Sequence, residues 1–219
     1  PLWIGLLSIA GMFVFAMPLA WWWRLAGALC IWPVLCWQAP RPLEGEFELV
    51  GADMGQGHAV LVRTAHHSLL YDTGPRYSPE TDAGQRVLVP LLMALGERLN
   101  RVIISHQDSD HSGGAHSVLK MQSQADVLTS IPSDHLLRTM HPMQKCVAGQ
   151  QWQWDGVRFW VLHPQATDYA KWLKPNALSC VLRLESTSGA SALLAADIEA
   201  TQEIQLVQSG IPLKSDWLL

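Results

Sequence analysis

Hydrophobic and polar positions divide the chain into two regimes. Residues 2–20 (LWIGLLSIAGMFVFAMPLA) carry no charge, and residues 21–38 (WWWRLAGALCIWPVLCWQ) continue the apolar run with Arg24 alone. A run of ~20 apolar residues is long enough to span a bilayer as a helix. Neither face carries a polar stripe, so the pattern predicts transmembrane helical segments over 1–40. The other arrangement it suits is a buried hairpin in a large soluble core. Trp21, Trp22 and Trp23 beside Arg24 suit an aromatic belt between two apolar segments. Pro33 predicts a kink in the second segment. The leader has neither the basic start nor the cleavage site of a signal peptide. It reads as a cut beginning inside a membrane region of a longer protein.

Residues 41–46 (RPLEGE) read as a linker, after which the period changes. Residues 47–53 (FELVGAD), 59–64 (AVLVRT) and 68–73 (SLLYDT) are β-rich runs separated by glycine and histidine turns. Residues 86–95 (RVLVPLLMAL) suit a helix closed by Gly96, with Pro90 in its first turn. Residues 101–105 (RVIIS) form a short apolar strand of the kind buried on both faces. A helix is expected to start near Gly113. Strands are expected over 126–130, 157–163, 179–184 and 191–197, and a helix over 198–209. Hairpins first, then strands alternating with helices, predict an α/β layered sandwich with helices outside two packed sheets.

Composition sharpens the boundary near Pro40. Only 16% of the 219 residues are charged, against about 25% in an average soluble domain. The deficit sits in residues 1–40, which hold one charge and six of the 11 tryptophans. The chain is therefore neither wholly soluble, nor wholly membrane-embedded, nor disordered. The roughly 180 residues that follow suffice for one domain with a core. The net charge of −4 and the scattered basic residues give no basic run, so charge alone predicts no strong grip on a phosphate backbone. Cys146 and Cys180 have neither finger nor CxxC spacing, and a disulfide between them stays open.

The densest chemistry is Ser105-His106-Gln107-Asp108-Ser109-Asp110-His111, placed just after a buried strand. Imidazole and carboxylate groups at a strand end can converge on Zn²⁺, Mn²⁺ or Fe. The competing interpretation is a solvated polar loop. Asp197 ends an apolar strand before a helix, where it could simply cap that helix. Asp53 and Asp72 stand at strand ends beside glycine, where turn chemistry alone accounts for an acid. His58 and His163 read as structural, and His116, His135 and His141 as surface positions. Core packing accounts for Trp152, Trp154, Trp160 and Trp172, which could otherwise stack bases.

Five elements in order closely resemble one family: 52–64 (ADMGQGHAVLVRT), 69–75 (LLYDTGP), 102–114 (VIISHQDSDHSGG), 176–184 (NALSCVLRL) and 193–203 (LLAADIEATQE). This is the C-terminal metallo-β-lactamase-like domain of the ComEC DNA-internalisation competence proteins. The leader resembles the end of that family's membrane channel region. The resemblance implies an αββα sandwich over 47–219, incomplete at its C-terminus. The centre it implies takes a divalent metal, with two ions expected (Zn or Mn, with Mg as the harder alternative). His106 and Asp108 would serve one metal, and Asp110 and His111 the other. Asp197 would bridge, although Ala196 stands where glycine is usual. Asn176 falls about where the superfamily has a separate histidine. Asp53, Gln56, Asp72 and Asn176 would support the site.

The resemblance further implies a multi-pass plasma-membrane protein of DNA uptake, with this domain extracytoplasmic and DNA, membrane and other uptake machinery as partners. Asp110 would orient or deprotonate a water that hydrolyses the non-imported strand. The rival functions are a non-catalytic vestibule guiding single-stranded DNA and a generic hydrolase of the same fold. In the family a histidine motif follows the strand resembling 213–219 (LKSDWLL). Without it, the chain is expected to bind metal poorly and to be inactive by itself.

Overall fold

The computed structural model describes residues 2–219. The chain divides into two compact units, Pro1–Pro40 and Arg41–Leu219.

The first unit is a pair of helices, α1 (Leu2–Ala16) and α2 (Trp21–Leu35), of 15 residues each. Small residues make their contact. A Cβ on Gly11 would stand 2.6 Å from the Gly27 carbonyl oxygen, and one on Gly27 would stand 2.6 Å from that of Gly11. Only glycine allows this approach. The Ser8 hydroxyl donates to the Cys30 carbonyl across the same seam. Apart from Arg24, which donates to the Phe15 carbonyl, the exposed side chains are mostly apolar, among them Trp3, Leu6, Ile9, Phe13, Leu29 and Trp32. The structure corrects the expectation of transmembrane helices in one respect: no helix of the described residues is long and apolar enough to cross a membrane. Pro18 is the cause in α1, because the residue before a proline is pushed out of the helical region. Fifteen residues rise ~22 Å, against a hydrocarbon core of ~30 Å. Pro33 lies inside α2, which continues to Leu35.

The second unit contains two sheets. The first runs through β1 (Glu48–Gly51), β2 (Val60–Arg63) and β3 (Ser68–Tyr71). Next come a small hairpin, β4 (Arg76–Ser78) with β5 (Thr81–Asp82), a π-helical turn at Gly84–Leu88 and α3 (Val89–Leu95). Then follow β6 (Arg101–Ile104), α4 (Ser109–Ser112), α5 (Ala115–Met121), β7 (Asp126–Thr129), α6 (Leu137–Met140) and β8 (Gln144–Lys145). The remaining elements are β9 (Gln151–Trp154), β10 (Val157–His163), β11 (Val181–Glu185), β12 (Ser191–Leu194), α7 (Ala200–Gln208) and β13 (Trp217–Leu218). The sheet orders are β1-β2-β3-β6-β7-β8 and β13-β12-β11-β10-β9. The β3–β6–β7–β8 pairings are parallel, and their crossovers carry α3 and α5 over one face.

Alternate residues of each strand enter different cores, because side chains switch faces at every step. Val60, Val62, Leu69, Tyr71 and Ile103 pack against Phe159, Leu182, Leu184 and Leu194 between the sheets. Leu61, Leu70, Val102 and Ile104 face Leu88, Leu92 and Val118 under the helices. That is why β2, β3 and β6 read as nearly unbroken apolar runs. Leu206 of α7 covers Leu162, Val181 and Leu193 on the far side, giving four layers in the order α/β/β/α.

The boundaries differ locally. The strand expected over 47–53 stops at Gly51, the 86–95 helix begins earlier as a π turn, and β4, β5, β8 and β9 were not expected. Trp152 and Trp154 pack against the inter-sheet core, Trp160 is half-buried, and Trp172 is fully exposed. Cys146 and Cys180 form a disulfide. It joins the sheets, since the Cys146 amide donates to Thr129 of β7 and Cys180 leads into β11.

Two polar clusters tie the pole of the domain where the chain enters it at Arg41. Buried Glu97 takes Arg63 at 2.7 Å and Arg41 at 2.8 Å, and accepts a short bond from the Ser68 hydroxyl. Asp155 sits in a left-handed conformation (φ 48°) before Gly156, the turn that joins β9 to β10. Its carboxylate accepts the Thr64 hydroxyl at 2.6 Å, the His66 amide at 2.6 Å and faces His67 Nδ1 at 3.0 Å. Burial would raise its pKa, but these hydrogen bonds outweigh it and hold the carboxyl well below its usual range.

Glu97→Ala leaves buried Arg63 with only the half-exposed Glu48 carboxylate, at 2.6 Å, as its partner and is expected to destabilise the domain by roughly 3 kcal/mol in chemical denaturation. Asp155 has a lowered folded-state pKa, so its contribution is complete above about pH 4 and is lost as the pH falls. The stability gap between the parent and Asp155→Asn is therefore expected to be widest near neutral pH and to narrow toward about pH 2.

Candidate metal centre

The site is built where β3 and β6 end side by side. Asp72 follows β3 with φ 60° and no solvent exposure. One of its oxygens accepts the Ser105 amide at 2.6 Å. The other accepts the Ser105 hydroxyl at 2.8 Å and faces His111 Nδ1 at 2.8 Å. Burial pushes the Asp72 pKa up, but the hydrogen bonds from His111 and the proximity of His58 prevail, and the net shift is downward. The carboxylate therefore stays charged and fixes the His111 ring with Nε2 pointing outward.

His106 is held by hydroxyls. Its Nδ1 lies 2.9 Å from Ser105 Oγ and 3.3 Å from Ser179 Oγ. Its Nε2 is buried with no hydrogen-bond partner, and the nearest acid is Asp108, 3.6 Å away. Burial first, and then the neighbouring His111, lower the His106 pKa, which favours the neutral imidazole a metal requires. The two rings lie 4.3 Å apart.

The loop between them turns through α4. Asp108 stands at its N-cap position, and its carbonyl accepts the amides of His111 and Ser112. That single turn swings His111 back over His106. His111 Nε2 then meets Asp197 at 3.3 Å and Asp110 at 3.8 Å. Burial opposes its charge, but Asp72, Asp197 and Asp110 raise its pKa to about 9. Gly113 and Gly114 let the loop lie against the β3 exit: a Cβ there would strike the Arg76 amide at 2.1 Å and the Thr73 carbonyl at 2.2 Å. Asp197 follows Ala196, whose φ of 52° is the left-handed conformation that favours glycine.

Ligand atoms of His106, His111 and Asp197 all lie within 4.8 Å of one another, as do those of His58, Asp72 and His111. Asp108 and Asp110 flank them half-exposed, each beside one imidazole. The donor set fits a divalent cation: an orphaned buried imidazole nitrogen, a negative field, and histidines whose other nitrogens are already engaged. His58 joins the cluster although its sequence context suggested a structural role; its Nδ1 is 3.6 Å from Asp72. Ser105 and Ser179 were also not anticipated as its supports, and only the position of Ser105 inside the motif hinted at its part.

Asp53 instead accepts the Gly55 amide in a local turn, and Gln56 is exposed. Asn176 begins a 3₁₀ turn, and among the described residues its side chain makes no hydrogen bond to the cluster. Its carbonyl accepts the Ser179 amide, so the turn presents Ser179 to His106. His163 is structural, with Nε2 2.9 Å from the Ala177 carbonyl.

Residues 52–125 match the model of the metallo-beta-lactamase superfamily. The chain is 38% identical over 165 residues to "Competence protein ComA" of Neisseria gonorrhoeae, covering 75% of this chain and 22% of that protein. It is 34% identical over 195 residues to "Uncharacterized protein YcaI" of Escherichia coli K12, covering 84% of this chain and 23% of the relative. The chain thus spans less than a quarter of the length of either relative. The Rm3 metallo-beta-lactamase shares the fold, with a TM-score of 0.52 at 20% identity over 83% of this chain and 77% of that one.

Asp72→Asn keeps a residue type that tolerates the left-handed backbone but removes the charge that orients His111. It is expected to weaken Mn²⁺ or Zn²⁺ binding by about 10–100-fold, measured by isothermal titration calorimetry.

Proposed function

We propose, on the premise that this chain is a homologue of the ComEC-type competence proteins and carries a metallo-beta-lactamase domain, that the domain to which residues 47–219 belong acts, within the full-length protein, as a metal-dependent phosphodiesterase on DNA during its uptake. The observation that carries this reading is the convergence of His106, His111 and Asp197 around a buried, unpaired His106 Nε2. His106, Asp108, Asp110, His111 and Asp197 would hold one or two divalent cations. The mixed imidazole and carboxylate set suits Zn²⁺ or Mn²⁺, and its oxygen-rich side admits Mg²⁺. A bound divalent cation supplies Lewis acidity, lowering the pKa of water and neutralising charge on a phosphodiester.

The chain's own residues do the rest. Asp110, half-exposed beside His111, orients the attacking water and accepts its proton at the carboxylate. Asp72, Ser105 and Ser179 keep the imidazoles in place, so little reorganisation accompanies the reaction. Asp53 and Gln56 act through the turn that leads to His58, and Asn176 through Ser179. The substrate on this reading is the strand of incoming DNA that is not imported.

The apolar unit is assigned to the plasma membrane. Its helices expose many large apolar side chains, with Arg24 their one charge, and meet through small residues, the packing favoured in lipid. On this reading the metal domain faces the extracytoplasmic side, an assignment that the Cys146–Cys180 disulfide supports. DNA, the membrane and other uptake proteins are its partners.

Asp110→Ala in the full-length protein, assayed on DNA with Mn²⁺ or Zn²⁺, is expected to lower strand degradation by about 100-fold or more. Unchanged degradation would remove Asp110 from the reaction. A purified protein with no bound transition metal, and no gain on adding one, would favour the non-catalytic vestibule.

A further inference from the structure

A cavity of about 1020 Å³ opens beside the metal-binding loop. Gln107 and Ser109, which lie between the site's histidines in sequence, form one of its walls. The cavity therefore lies against the loop that carries His106 and His111, with Ser112 and Gly113 also in its lining. Its apolar lining comes from Met121, Leu136, Leu137 and Met140. Leu136 is 73% exposed and Met140 46%, an apolar surface that folding leaves open beside a polar site.

The charges around it cancel. Arg76 and Lys120 stand against Glu80 and Asp82. Arg76 is turned back onto the carbonyls of Ser78 and Pro79. Asp82 is engaged by the Ser117 hydroxyl and the Gln85 amide, and Glu80 by the Ser78 hydroxyl. Lys120 makes no ion pair among the described residues. Such a groove cannot track a phosphate backbone by charge, but it can take one phosphate at Lys120. Its apolar lining suits a flat, weakly polar group, and methionine adapts to more than one shape of ring.

We propose that this groove seats the nucleobases flanking the phosphodiester at the metal loop, with Lys120 taking one neighbouring phosphate. The inference rests on the phosphodiesterase reading and adds to it the surface that selects nucleic acid over small diesters. Because the base contacts are uncharged, their contribution is insensitive to salt, whereas that of Lys120 is not.

The test compares the full-length protein with its Leu136→Asp and Lys120→Ala variants on two substrates, a short single-stranded oligonucleotide and bis(p-nitrophenyl) phosphate, with Mn²⁺ present. Leu136 is exposed, so its substitution leaves the fold intact. Leu136→Asp is expected to lower kcat/KM for the oligonucleotide about tenfold more than for the aryl diester, mainly through KM, one apolar contact's worth of affinity. Lys120→Ala is expected to reduce the salt slope of oligonucleotide binding by about 0.7, the value for one phosphate contact on a single strand. Equal losses on both substrates, or no loss on either, would overturn the proposal. If the parent protein cleaves neither substrate, the phosphodiesterase reading fails. The groove is then judged on the affinity of a fluorescent oligonucleotide: a loss in Leu136→Asp supports it and an unchanged affinity overturns it.

Discussion

The buried carboxylate of Asp72 ties the end of β3 to the end of β6 and orients one of the two imidazoles that define the site. An ionised carboxylate away from water is tolerated only when its oxygens are hydrogen-bonded. Here the Ser105 amide and hydroxyl and His111 Nδ1 meet that demand together. The same three bonds decide the geometry outward. Ser105 Oγ reaches His106 Nδ1, so both rings present Nε2 to the same space. Removing the carboxylate would loosen strand register, ring orientation and local charge at once.

That arrangement needs a surface to stand on, and the two-sheet core supplies it. β3 and β6 are parallel neighbours with both faces buried, which sets where their C-terminal ends emerge. The loop carrying His111 is sewn to the β3 exit by backbone bonds from Thr73 to His111 and from Gly114 to Gly74. Gly113 and Gly114 are required there because no side chain would clear the opposing backbone. On the other side, the Cys180 amide donates to the Ser105 carbonyl, so the disulfide-linked start of β11 also abuts the site.

The first unit follows a different rule. Within the domain, apolar side chains are turned inward and polar ones pair at the surface. In the helix pair, apolar side chains point outward and glycines meet at the contact. Close backbone approach gives dispersion contact between the helices without needing water to drive it.

Much of this was legible along the chain. The β-rich runs of β2 and β3 announced strands, the apolar run of β6 announced one buried on both faces, and the spacing of His106, Asp108, Asp110 and His111 drew attention to the loop where His106 and His111 come together. The change of composition near Pro40 lies where the two units divide. Other features were present but ambiguous. Asp72 looked like a turn residue because its left-handed φ and its buried hydrogen bonds arise from the same position. The Asp155-Gly156 pair could have signalled the β9–β10 hairpin, but the alternation of Gln151–Trp154 was too short to stand alone. His58, Ser179 and Asp197 lie 48, 73 and 91 residues away from His106 along the chain. Local sequence determined which segments extend, turn and carry ligand atoms, because propensity and periodicity act over a few residues. Only the tertiary structure decided which distant side chains share one site, because sheet register and the bonds of one buried carboxylate act across the whole domain.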